Sequence, residues 1–171
     1  MTDNEKKCYE ELRENLKKEL NGGKVLAITK NGIGAFKIAY SFVCAGEKVL
    51  FIDADIMSEI FLGKYKLGKN LKGFTDYFQE DEAIHDLVCK TNRKNLDIIF
   101  TGETQEFDKA DILDSEFSDF RDCLVEQYDY VIVHTGDNYD IAAKCDASVI
   151  LLKQSDSVSY THLRAHETRG N

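Results

Sequence analysis

The chain has 171 residues, 43% hydrophobic and 31% charged, with no proline and a net charge of -9. That length supports one domain with a single sizeable core, and the acidity argues against a nucleic-acid partner, whose phosphates are held by Lys and Arg. No run approaches the about 20 apolar residues of a membrane helix, no secretory leader opens the chain, and Cys8, Cys44, Cys89, Cys123 and Cys145 lack CxxC spacing. Direct membrane insertion, a disulfide framework and a zinc site are therefore not expected, and the chain reads as a cytoplasmic protein with reduced thiols.

In chain order, residues 3–21 predict a helix, opened by Asp3 or Asn4 and ended by Gly22-Gly23. Tyr9, Leu12, Leu16 and Leu20 fall on one stripe opposite a charged face, so this helix docks on its own sheet or on a neighbour. Strands are expected at Val25–Thr29, Val49–Ile52, Leu96–Phe100, Val131–Val133 and Val149–Leu152, each a short continuous apolar run suited to a sheet buried on both faces. Helices are expected at Ala35–Cys44, Glu82–Val88 and Glu116–Glu126, with a short one near Tyr139–Lys144. The alternation predicts an α/β fold: a doubly wound, mostly parallel sheet with flanking helices. Lys64–Lys72 is the one basic loop.

Within this layout, Gly32-Ile33-Gly34 sits between an apolar strand and a helix, the strand–loop–helix plan of a phosphate-binding loop. Asp53 and Asp55 end the next strand, at the carboxyl edge where α/β sheets bind ligands. The loop lacks the lysine and the serine or threonine that such a loop uses, because Ala35 and Phe36 follow Gly34.

Lys30-Asn31-Gly32-Ile33-Gly34-Ala35-Phe36 resembles the deviant loop of the MinD/ParA class of P-loop ATPases, matching its first lysine and both later glycines. More of the chain is similar to one branch of that class, the bacterial tyrosine kinases of capsule and exopolysaccharide synthesis. The pieces that carry this resemblance are Leu12-Arg13-Glu14-Asn15-Leu16, Asp53-Ala54-Asp55, Gly73-Phe74-Thr75-Asp76-Tyr77-Phe78, Asn95–Ile99 with Gly102, and Tyr128–Thr135. It covers about residues 5–153 and implies a P-loop NTPase-like fold of MinD/ParA type. It also implies ATP and magnesium as cofactors, and a homo-oligomer or a membrane-embedded polysaccharide chain-length regulator as partner.

The resemblance assigns Lys30, Gly32, Gly34, Ala35 and Phe36 to a degenerate nucleotide loop. Asp53 and Asp55 become vestigial catalytic carboxylates, and His134 stands at the Walker B aspartate position. Met57 stands near the place of a family arginine, while Lys7 and Glu10 replace a glutamate and an arginine in the N-terminal motif. Asp137 or Asp140 could reach into the site in place of the missing acid.

Three functions follow as expectations. The first is a tyrosine-kinase-like pseudoenzyme acting by binding or oligomerisation. The second is an active autokinase working through Lys30, Asp53 and Asp55, and the third is a MinD/ParA-like positioning or scaffold ATPase. Each site residue also has an ordinary reading: a tight turn for the glycines, a solvated lysine for Lys30, turn-capping carboxylates for the aspartates, and a hydrogen-bonded core histidine for His134.

Val158–Thr168 resembles a translated sequencing-library adaptor, which would make the natural domain C-terminally truncated near Ser157. The expected organisation is an N-terminal helix over 1–23 for oligomerisation or docking, an α/β domain over 24–157, and an artefactual tail over 158–171. His162 and His166, at i, i+4 spacing, are read as part of that tail and not as a metal pair.

Overall fold

In the computed structural model, which describes residues 2–56, 71–102, 107–108, 112–154 and 157–161, helix α1 covers Asp3–Leu20. Its cap is Thr2 and neither of the expected Asp3 and Asn4: the Thr2 hydroxyl accepts from the Glu5 N–H and the Glu5 carboxylate accepts from the Thr2 N–H. Asn21, at φ 46, turns the chain out of the helix. The stripe Tyr9, Leu12, Leu16 and Leu20 is buried within this same chain, against helix α2 (Gly32–Cys44) and the sheet beneath it. Arg13 fastens the contact by donating to the Ser41 carbonyl and hydroxyl, and the Ser41 hydroxyl donates to the Tyr9 carbonyl. Of the two docking options, α1 thus takes its own domain.

Five strands form the parallel centre: β1 (Val25–Lys30), β2 (Val49–Asp53), β4 (Leu96–Ile99), β5 (Tyr130–Gly136) and β6 (Ala147–Gln154). Two short strands not expected from the sequence close the edges antiparallel, β3 (Cys89–Lys90) on β4 and β7 (Ser157–Thr161) on β6. The order is β3-β4-β2-β5-β1-β6-β7. Helix α3 (Phe74–Glu80), also unexpected, is followed by α4 (Ile84–Leu87), shorter than foreseen, and by α5 (Asp114–Val125) and α6 (Tyr139–Ala143) close to their expected places.

Alternating side chains split the core between the sheet's faces. Leu26, Ile28 and Phe51 join α1 and α2 on one face; Ala27, Leu50 and Ile52 join Phe74, Phe120 and Ile141 on the other. The fold is the doubly wound, mostly parallel α/β domain that the apolar runs predict.

The tail departs from expectation. Residues 158–161 are expected outside the fold, yet their backbone, with that of Ser157, extends the sheet as β7. Ser-Val-Ser-Tyr-Thr supplies alternation and β-favouring residues, and a parallel edge strand offers unpaired donors and acceptors. His162 and His166 lie outside the described residues, as do Met57 and residues 64–70 of the basic stretch.

Candidate functional site

The carboxyl ends of β1, β2 and β5 converge. Asp53 and His134 are direct register partners between β2 and β5, so the strand pairing brings together the two positions singled out in the sequence. His134 Nδ1 lies 3.6 Å from Asp53 Oδ1 with both side chains essentially inaccessible. The Asp53 Oδ1 atom also accepts the Asp55 N–H, as in a turn-capping carboxylate, while Oδ2 has no hydrogen-bond partner. Asp55 is buried beside Gly136, where a methyl group would come within 2.4 Å of its carboxyl carbon. That close approach, with φ +58 at Gly136, explains the glycine.

Next to it the β1–β5 register slips by one residue: Ile28 faces His134 but Thr29 faces Gly136. Thr135 is the extra residue, buried with an unpartnered hydroxyl, an irregularity of the kind that re-aims side chains beside ligand sites.

Lys30 stands at the rim with φ 77, its side chain 43% exposed. The Asn31 N–H bonds back to the Thr29 carbonyl, so Lys30 occupies the centre of a tight three-residue turn. Its ammonium lies 2.8 Å from Asp137 Oδ1 and 6.0 Å from the Tyr139 ring centroid. Hydrogen bonds to Asp137 and then to Tyr139 hold its pKa above the ordinary lysine range. Asp137 thus reaches the rim and takes the lysine; it does not fill the place of a buried acid.

The glycine turn is corrected. Gly32-Ile33-Gly34 is not a loop but the first turn of α2, which starts three residues earlier than Ala35. Asn31 drives this: it is the N-cap, and its side-chain oxygen accepts the Gly34 N–H at 2.9 Å. A methyl at Gly34 would meet Leu151 Cδ1 at 2.8 Å, so the glycine serves packing of α2 on β6. Ala35 is wholly buried, and Phe36 packs edge-on against Phe51, ring centroids 5.4 Å apart.

The residues present do not fit a magnesium–nucleotide complex. An amide that would face a phosphate is occupied by Asn31. The cation position lies in the core as alanine, the metal hydroxyl is replaced by a packed ring, and the acidic strand end is an imidazole, whereas magnesium demands hard oxygen donors. Among the described residues no group of three or more His, Cys, Asp or Glu side chains is placed to hold a metal ion.

Gly73–Phe78 and Gly102, named in the sequence only as carriers of the resemblance, have a structural role that the sequence reading did not assign. Gly73, Asp76, Thr101 and Gly102 latch α3 to the end of β4. The Gly73 N–H donates to Asp76 Oδ2 at 2.6 Å, and the Phe74 and Thr75 N–H groups donate to the Phe100 and Thr101 carbonyls. A methyl at Gly73 would fall 2.3 Å from the Phe100 carbonyl oxygen, and one at Gly102 2.5 Å from Asp76 Oδ2. The two glycines flanking an acidic segment were the available signal.

No protein-family profile matches the chain. It is 30% identical over 140 residues to Tyrosine-protein kinase CpsD of Streptococcus pneumoniae serotype 4, covering 75% of this chain and 62% of that relative. The chain therefore spans less than two thirds of that protein. The kinase domain of the Escherichia coli tyrosine kinase ETK superposes with TM-score 0.76 at 18% identity, over 96% of this chain and 67% of the other. The apo form of the Cyanothece protein McdA superposes with TM-score 0.57 at 22% identity, over 74% of this chain and 57% of that one. These two structural likenesses speak to the fold.

Proposed function

Because the chain belongs to the bacterial tyrosine kinase family of MinD/ParA-like P-loop ATPases, we propose that it is a tyrosine-kinase-like protein of capsule or exopolysaccharide synthesis that acts by binding and not by phosphoryl transfer. Its partner in this reading is a membrane-embedded chain-length regulator or a further copy of the chain, met on the cytoplasmic side. No helix among the described residues is long and apolar enough to cross a membrane.

One observation carries the reading: the nucleotide loop has become the capped start of a helix, with Asn31 on the Gly34 amide and Phe36 packed against Phe51. Phosphoryl transfer depends on positioned charge around the phosphates, and three of those charged or metal-binding positions are alanine, phenylalanine and histidine here. Calorimetric titration with Mg-ATP tests it, and no saturable heat is the expected result. Micromolar binding would overturn the pseudoenzyme reading. It would favour the autokinase alternative, which rests on Lys30 remaining at the rim and on the carboxylates of Asp53 and Asp55 at the same sheet edge.

A further inference from the structure

Phe36 also borders a cavity of about 510 Å³. Its floor is Leu96, Ile98 and Phe100, alternate positions along and just past β4 that share one face of the sheet. Phe36 and Tyr40, one turn apart on α2, make one wall; β3 and the turn after it make the other. The size falls in the ~300–1,000 Å³ range of small-molecule sites, which are apolar bodies with a few convergent polar groups. Cys89 adds no charge to the wall, since burial pushes its thiol pKa up.

The mouth is cationic. Lys90 is paired with Asp97 at 2.8 Å, but no carboxylate among the described residues pairs with Arg93. The guanidinium lies 4.9 Å from the Tyr40 ring centroid, with Nη2 3.9 Å from Cys44 Sγ. In a chain of net charge -9, an arginine laid on an aromatic wall and without a carboxylate partner marks the mouth for an anion.

We propose that this cleft binds a planar aromatic monoanion, its ring between Phe36, Tyr40 and Phe100 and its anionic group against Arg93. The site is separate from the question of nucleotide binding.

The probe is 8-anilinonaphthalene-1-sulfonate, titrated by fluorescence into the whole chain. One equivalent should bind saturably and slow alkylation of Cys89, read by peptide mass spectrometry. Arg93→Glu should weaken binding about tenfold, the scale of an exposed ion pair lost and then reversed. Lys18→Glu, which makes the same change in net charge on the exposed face of α1, should leave it unchanged. Both substituted residues are exposed, so both variants keep the fold, which circular dichroism checks. No saturable binding, several equivalents, or equal weakening by the two variants overturns the proposal.

Discussion

His134 is the residue at which chemistry and packing meet most sharply. It faces Asp53 at 3.6 Å in a contact that excludes water, and Asp53 Oδ2 is already without a partner. Replacing the imidazole by a carboxylate sets two acids against each other there, and buried like charges cost several kcal/mol unless a cation or a proton intervenes. His134→Asp is expected to lower stability by about 2–4 kcal/mol. Magnesium should recover part of that loss in the variant, while leaving the parent's melting temperature unmoved. Thermal melts of both proteins with and without the metal check this, and a variant as stable as its parent would show that Asp53 does not feel residue 134.

Alkaline behaviour is also set by single residues. Burial first, then the charge of Glu5, pushes the Tyr9 phenol up to about 12 from 10.0, and burial pushes the Cys145 thiol up to about 12 from 9.0. The folded chain keeps these protons where the unfolded chain would release them, so it binds more protons above the unfolded values. Their contribution to stability is therefore complete below pH 9 and is lost as pH rises from 9 toward 12. Denaturant titrations across that range should show a steep fall, shallower in Tyr9→Phe with Cys145→Ala.

At the scale of elements, α2 decides what the loop can be. Gly-x-Gly after a strand reads as a phosphate cradle, but Asn31 ahead of it is also a strong N-cap, and a local side-chain hydrogen bond settled the competition. This limits repair by motif. Ala35→Lys with Phe36→Thr forces a long cation into a fully buried site and removes a packed ring, at a cost of about 3 kcal/mol or more. The double variant should melt lower and bind Mg-ATP no better than its parent. Adding Asn31→Gly, which frees the Gly34 amide, should be needed before binding appears. Calorimetry on the two variants separates the effects, and nucleotide binding by the double variant alone would show that the helix start yields easily.

The parallel strands were legible because each is an uninterrupted apolar run, and the Asp53–His134 pairing follows from two such runs ending at one edge. The two-residue β3 has no periodicity to read. The α3 latch depends on Gly73 and Gly102 meeting in space across 29 positions of sequence. Residues 158–161 resemble adaptor sequence, yet their β-favouring composition lets them continue from Ser157 as an edge strand.

For the molecule as a whole, the question is whether α1 is an assembly device or part of the core. Tyr9, Leu12, Leu16 and Leu20 are all buried inside the single chain, in the same cluster as Ile38, Phe42 and Leu26. Burial of such side chains contributes about 1.5–3 kcal/mol each. The stripe is thus worth on the order of 6–12 kcal/mol, comparable with the about 5–15 kcal/mol stability of a whole domain. Removing residues 1–21 is therefore expected to abolish cooperative unfolding, not to release a folded monomer, and loss of near-ultraviolet circular dichroism would register it. Assembly has to be tested on the face left outside, where Glu10, Glu11 and Glu14 are exposed. Glu11→Lys with Glu14→Lys touches no buried stripe residue, so its melting temperature should stay within a few degrees of the parent. If α1 contributes to association, the variant's mass in solution should change at that unchanged stability, as read by light scattering. A truncated chain that still melts cooperatively would mean that the sheet and α2 are self-sufficient, and that the stripe covers α2 without completing the core.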